Sequence, residues 1–425
     1  MTGGARLGLV GAVALVMGNM IGSGVFLLPS SLAPYGWNAV AGWIVTIAGA
    51  VCLAHVLAAL TRRHERPIAV AELVEHSFGR LVGFLIAFSF WVSAWTGSAT
   101  IAVAAVSYGS GFHRALGDHP ALATLGVIWL VTLVNLAGIR LAGQFQLVTT
   151  LLKLAPLIVV GGLIVAVLAA TGTSRLAPLP PEGLSLSAVN AAAALALWAM
   201  VGFEAAAAAS HKIADPQRNV ARATIIGASL TGLIYLVICS GITLLLPPAL
   251  VAGSAAPFAV FAETYWSAGP AAYVGLFAAI SALGAVNGWT LVQAEVPHEM
   301  ATRGMMPAWF AKRARNGVAM RGLLVSSTLA SLLVLINSNR GMAGLFAFMA
   351  LLTTSVTLGL YLAIAAAAIK ERVALPFAVF GFLFGIWSLV GAGLEAALLS
   401  FALMSAGLPF YAIARLESDR LRPAG

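Results

Sequence analysis

Apolar runs of about 20 residues, the length an α-helix needs to cross a hydrocarbon core, follow one another along nearly the whole chain. Twelve of them can be marked, at approximately 7–32, 38–60, 80–112, 121–138, 144–170, 186–210, 222–246, 270–297, 321–337, 343–369, 374–394 and 396–415. The last two are separated only by Gly391, Gly393 and Glu395. Between the seventh and eighth, Pro247-Pro248 and the stretch 256–266 are too short to span, which predicts a short helix outside the membrane. The pattern predicts an all-α integral membrane protein with 12 transmembrane helices. The first run exceeds the core of a signal peptide and no convincing A-x-A-like site follows it, so it is expected to stay as a membrane helix.

Two runs are interrupted. In the first, GNMIGSGVFLLP (Gly18 to Pro29) places Gly22-Ser23-Gly24 in mid-segment. A bilayer leaves no backbone group to be satisfied by water, so a break there is tolerated only against protein or a water-filled cavity. The N–H groups of the second half-helix then carry partial positive charge, suited to a small carboxylate. A helix-packing face rich in small residues reads the same glycines another way. The sixth run carries LWAMVGFEAAAAAS, where Gly202 and Glu204 interrupt an otherwise apolar helix. These two runs open successive groups of five, and paired interruptions at corresponding positions point to an inverted-repeat transporter. One transporter domain over 1–425 follows, with repeats at about 7–170 and 186–369 and additional helices at about 374–415.

Composition changes the picture little. The chain is 61% hydrophobic and 9% charged over 425 residues, which leaves little room for a soluble domain. Its net charge of +9 is spread through short loops, which argues against nucleic acid. With the N-terminus inside, 19 of the 23 Lys and Arg fall on the cytoplasmic side, Arg114, Arg175 and Arg340 fall outside, and Lys153 is left within a membrane run. That asymmetry predicts an even helix number, both termini cytoplasmic and a cell (inner) membrane location. Cys52 and Cys239 lie in apolar runs and read as free packing thiols. No Walker loop, dinucleotide fingerprint or metal cluster is present, so no cofactor, metal or enzymatic activity is expected. Glu295 and His298 suggest a salt bridge or cap at a helix end.

A carboxylate at membrane depth is costly when charged, so Glu204 is either a structural acid bonded to the unwound backbone or a group that changes protonation during transport. Lys153, in QLVTTLLKLAPL, snorkels, bridges carbonyls of the broken first helix, or serves as a proton-labile group for coupling and gating. Trp198, four residues before Gly202, and Trp289, after Asn287-Gly288, are placed to offer cavity faces worth about 2 kcal/mol to a desolvated cation; packing or lipid-facing roles suit Trp289 equally. Trp37, Trp43 and Trp266 read as interface anchors.

Three segments, GNMIGSGVFLLP, LWAMVGFEAA with ADPQRNVARATIIG, and GAVNGWTLVQAE, resemble the amino acid/polyamine/organocation superfamily, and within it the basic amino acid/polyamine antiporters such as the arginine/agmatine exchanger. The resemblance implies a five-plus-five inverted-repeat fold with broken first and sixth helices, and secondary active antiport. It also implies that Asn19, Met20, Ile21, Gly22, Ser23 and Gly24 hold the substrate's carboxylate or amine, and that carbonyls at Trp198 and Val201, beside Gly202, take its amino group. By the same resemblance Trp289 is a middle gate, Glu204 is the acid tied to pH response, and Phe90, Ala94, Ser98, Ile101, Thr353 and Tyr361 stand at pocket positions.

Departures qualify the substrate. Phe90 and Ser98 replace a tyrosine and an asparagine of the arginine exchanger, and Lys153 fits the pattern of neutral amino acid permeases. A proton-coupled neutral amino acid carrier is therefore the alternative, with a channel or membrane enzyme remote. The expected partners are an amino acid or amine substrate and membrane lipid, with a homodimer left open and no nucleic acid.

Overall fold

The computed structural model describes residues 7–22, 24–63, 70–138, 149, 152–204, 206 and 213–420. Among them regular structure is helical, apart from an isolated parallel bridge between Leu7 and Ile213. The first half holds α1 (Leu9–Met20), α2 (Gly24–Leu32), α3 (Trp37–Arg63), α4 (Val70–Phe78), α5 (Arg80–Gly109), α6 (Arg114–Asp118), α7 (Pro120–Leu136) and α8 (Leu154–Thr171). After it come α9 (Leu186–Met200), α10 (Pro216–Leu245), α11 (Pro248–Val251), α12 (Pro257–Tyr265), α13 (Ala268–Thr302), α14 (Met320–Ile336), α15 (Gly341–Lys370), α16 (Leu375–Gly391), α17 (Leu394–Ser405) and α18 (Leu408–Arg420). Each predicted apolar run carries a helix. Among the described residues seven segments are long and apolar enough to cross a bilayer, α1 with α2 makes an eighth bent by 52°, and α7, α9, α14 and α16 are shorter apolar helices. The twelfth run is divided between α17 and α18, with a turn at Ala406 and Gly407.

Both breaks fall where sequence places them. The Ile21 N–H still bonds to Met17 at 2.7 Å, but the Gly22 N–H turns back to the Met20 carbonyl at 2.7 Å, and helix resumes at Gly24; Ser23 lies outside the described residues. α9 stops at Met200, Val201 is extended, and Gly202 has φ +113°, a backbone conformation that glycine adopts without a Cβ penalty.

α5 packs lengthwise against α13 and α15, and every residue from Trp91 to Tyr108 is buried. A helix that is apolar all round has to be enclosed in this way. Buried polar bonds join it to its neighbours. Trp91 Nε1 donates to Ser326 Oγ at 2.8 Å and to the Gln293 carbonyl at 3.1 Å, Thr132 and Ser327 share a hydrogen bond at 2.7 Å, and Asn135 donates to Asn287 at 2.9 Å. Such interhelical bonds average about 0.6 kcal/mol in a membrane, so the set ties α5, α7, α13 and α14 into one frame mainly by direction.

On the other flank α3 packs against α9 and α10. Trp43 does not sit at an interface: it is fully buried, its ring 5.8 Å from that of Tyr235, because α10 covers that face of α3. Trp266 is exposed, and Trp37 donates to the Ala177 carbonyl at 2.8 Å. Arg313 grips Glu295 through two bonds of 2.9 and 2.6 Å, and the His298 ring nitrogen meets the Phe310 carbonyl at 3.3 Å, so this pair pins the loop after α13. Both cysteines are free.

Candidate functional site

Two interrupted segments meet at the centre of the bundle. Asn19, in the last turn of α1, donates from Nδ2 to the Gly202 carbonyl at 3.1 Å. A Cβ at Gly202 would stand 2.9 Å from that same nitrogen, so the absent side chain admits the contact. Two groups cap the carbonyl-rich end of α1: the Tyr235 hydroxyl donates to Met20 at 2.9 Å, and Lys153 Nζ donates to Gly18. A cation at a helix C-terminus opposes the partial negative charge of its free carbonyls.

Glu204 follows the second break. Its Oε2 accepts from the Gly202 N–H at 3.2 Å and from the Tyr361 hydroxyl at 3.2 Å. The Tyr361 ring stacks on Phe203 at 4.9 Å, which fixes the hydroxyl. The carboxylate thus bonds to the unwound backbone and also lines a cavity.

That cavity, of about 250 Å³, is bounded by Gly18, Gly22, Phe90, Lys153, Glu204 and Trp289, with Ser281 and Thr149 adding hydroxyls. A narrower one of about 30 Å³ lies on the α2 side, lined by Met20, Gly24, Ile101, Trp198, Val201 and Thr353. Asn19, Gly22 and Trp289 belong to both walls, so Trp289 stands between the chambers. Trp198 covers Gly24 so closely that any Cβ there would enter the indole. Its indole N–H is buried without a partner, a donor available to whatever enters.

Beyond the narrow chamber the α2 end is sealed. Tyr108 donates to the Phe26 carbonyl at 2.8 Å, Ser30 to Ser254 at 2.7 Å and Ser107 to Ala255 at 2.8 Å, while Phe26 packs edge-on against Phe258 at 5.1 Å.

Not every expected residue reaches the cavities. Ala94 and Ser98 line neither of the two; Ser98 Oγ lies 3.4 Å from Thr290 within the α5–α13 contact. Tyr361 also lines neither and acts through Glu204. Thr353 reaches the narrow chamber but bonds to Thr96 at 2.9 Å. Sequence reasoning missed Tyr235, Ser281 and Thr149, for which an isolated hydroxyl in an apolar helix gives no distinguishing signal.

The profile of the family described as amino acid permease matches residues 7–419. A cadaverine/lysine antiporter of Escherichia coli (strain K12) is 31% identical over 357 residues, covering 81% of this chain and 78% of the relative. The putrescine transporter PotE of Haemophilus influenzae is 27% identical over 429 residues, covering 97% of this chain and 98% of that one. Among solved structures, a Na+-coupled sialic acid symporter in a substrate-bound outward-open state superposes with a TM-score of 0.54 at 15% identity, covering 93% of this chain and 91% of the other. At that identity the likeness speaks for fold alone, and the fold is the all-α five-plus-five inverted repeat expected from the two breaks.

Proposed function

This chain belongs to the amino acid permease family, and on that premise we propose that it is a secondary antiporter of the basic amino acid/polyamine type, exchanging one amino acid or amine for another across the cytoplasmic membrane. The observation that carries the reading is the junction of the two breaks, where Asn19 holds Gly202 beside a cavity faced by Trp289, Glu204 and Lys153. Unwound backbone at membrane depth is tolerated against protein or a water-filled cavity, and broken half-helix ends beside such a cavity are how transporters hold small charged solutes. Residues about 7–170 form one repeat and about 186–369 the other, with both termini cytoplasmic by the distribution of Lys and Arg. In this orientation the wider chamber lies on the cytoplasmic side of Trp289 and the sealed α2 end faces outward. The substrate lies along the first break, between Met20 and Gly24, with Trp198 and Trp289 against its stem.

Counterflow in proteoliposomes tests this. Labelled lysine should enter with saturation, and faster when unlabelled lysine is preloaded. Uptake indifferent to the trans side would rule out exchange, and flux without saturation would indicate a channel.

Neutral amino acid exchange is the second reading, favoured by Lys153 in the wider chamber and Phe90 on its wall. Trp289→Leu separates the two readings: loss of cation–π attraction, about 2 kcal/mol when desolvated, should weaken lysine far more than alanine if cations are the substrates.

A further inference from the structure

The charges that meet a substrate here can be counted. Of the 14 acidic residues, every one except Glu204 lies at or beyond the end of an apolar run. Several of these are also engaged elsewhere: Glu295 with Arg313, Glu72 with Arg303, Glu371 with Ser77, and Glu417 with the Ala308 N–H. Among the described residues, Glu204 is the one carboxylate that lines the wider chamber, and no acid lines the narrower one. Among the described residues the wider cavity holds one ammonium, Lys153, kept at the carbonyl end of α1 by Gly18.

A diamine brings two positive charges into this pair. One ammonium can meet Glu204; the other finds no second acid among the described lining residues and shares a cavity of about 250 Å³ with Lys153. Like charges in a low-dielectric site repel strongly, and an unpaired charge within a membrane is costly. The aromatic faces of Trp198 and Trp289 offset only part of this. An α-amino acid brings a carboxylate as well, which offsets the charge of Lys153 in that cavity. A basic amino acid then adds one net charge where its decarboxylated amine adds two.

We propose that the site requires a substrate carboxylate, so that Lys153, sharing its cavity with Glu204 as the only acid among the described lining residues, selects α-amino acids over the diamines formed by their decarboxylation. The inference rests on the antiport reading and narrows it, dividing this chain from relatives named for cadaverine and putrescine.

The test is competition against labelled amino acid uptake in proteoliposomes of the full chain, run beside thermal-shift titration of the purified protein. Matched sets are lysine, lysine methyl ester and cadaverine, then ornithine and putrescine, with alanine as a neutral control. Both the ester and the diamines should bind at least about 30-fold more weakly than the parent amino acids, about 2 kcal/mol. Lys153→Gln should narrow that gap, and the ester comparison stands on the wild type should this variant not fold. Diamines or ester binding as tightly as the amino acids would overturn the proposal. Alanine binding with neither lysine nor cadaverine would keep the carboxylate requirement and reject the basic substrate class. Failure of every compound to bind would remove both.

Discussion

Asn19 and Gly202, 183 positions apart in sequence, are joined by a hydrogen bond of 3.1 Å from the side-chain amide of one to the carbonyl of the other. Each residue belongs to an interrupted segment, so the bond couples two half-helices that have lost their own ladder partners. A buried acceptor left unpaired costs about 1–3 kcal/mol. Asn19→Ala is accordingly expected to lower thermal stability and to reduce exchange. Gly202→Ala should be worse, since alanine meets both φ +113° and a contact of 2.9 Å with Asn19. Thermal denaturation and counterflow on both variants check the order; a fully active, fully stable Gly202→Ala would contradict it.

Glu204 is shared between a structural task and the cavity, and two substitutions separate these. Glu204→Gln retains an oxygen for the Gly202 N–H and Tyr361 hydroxyl but cannot ionise. It should fold normally and exchange with a flattened pH profile. Tyr361→Phe removes one donor, worth about 1.5–3 kcal/mol to a charged acceptor, and should displace the pH profile without flattening it. A Glu204→Gln protein whose exchange follows pH as the wild type does would reduce the acid to a structural role.

The caps on α1 are expected to matter to different degrees. Lys153 supplies a charged donor to Gly18 and Tyr235 a neutral one to Met20. Hydrogen bonds to charged groups contribute about 1.5–3 kcal/mol and neutral ones about 0.5–1.5. Lys153→Ala should therefore weaken substrate binding at the chamber on the α1 side by about 10- to 100-fold and Tyr235→Phe by about 10-fold or less. Transport kinetics measured separately from each face of oriented proteoliposomes will show whether the loss is confined to that face.

How much of this was legible follows from the bilayer's demands. Gly22, Gly202, Glu204 and Lys153 could be singled out because each violates the rule of continuous apolar helix, and a violation has to be compensated somewhere. Tyr235 violates nothing. It sits in an apolar helix where a tyrosine packs well, and its partner Met20 lies 215 positions away. Ala94 and Ser98, which line neither described cavity, illustrate the opposite case: α5 is buried on all sides from Trp91 to Tyr108, so hydropathy carries no phase and cannot say which side faces a cavity. The fold needed only run lengths and two interruptions. Within the site, sequence indicated which helices break but not which hydroxyls close around the breaks.

Trp198 and Gly24 give the most direct test of the narrow chamber. The indole lies over Gly24 with no room for a Cβ, and its N–H is buried without a partner. Gly24→Ala must push the ring away, and the space next to it is a chamber of only about 30 Å³. The displaced ring would fill the path that a substrate stem is proposed to take, so Gly24→Ala should abolish exchange while costing little stability, because the ring has somewhere to go. Trp198→Phe in the same protein removes the bulk of the indole and should restore part of the exchange, at reduced affinity because the free N–H is gone. The single and double variants, compared by counterflow at matched protein levels, decide the matter: a double variant no better than Gly24→Ala would place the effect in the backbone of α2 and not in the ring.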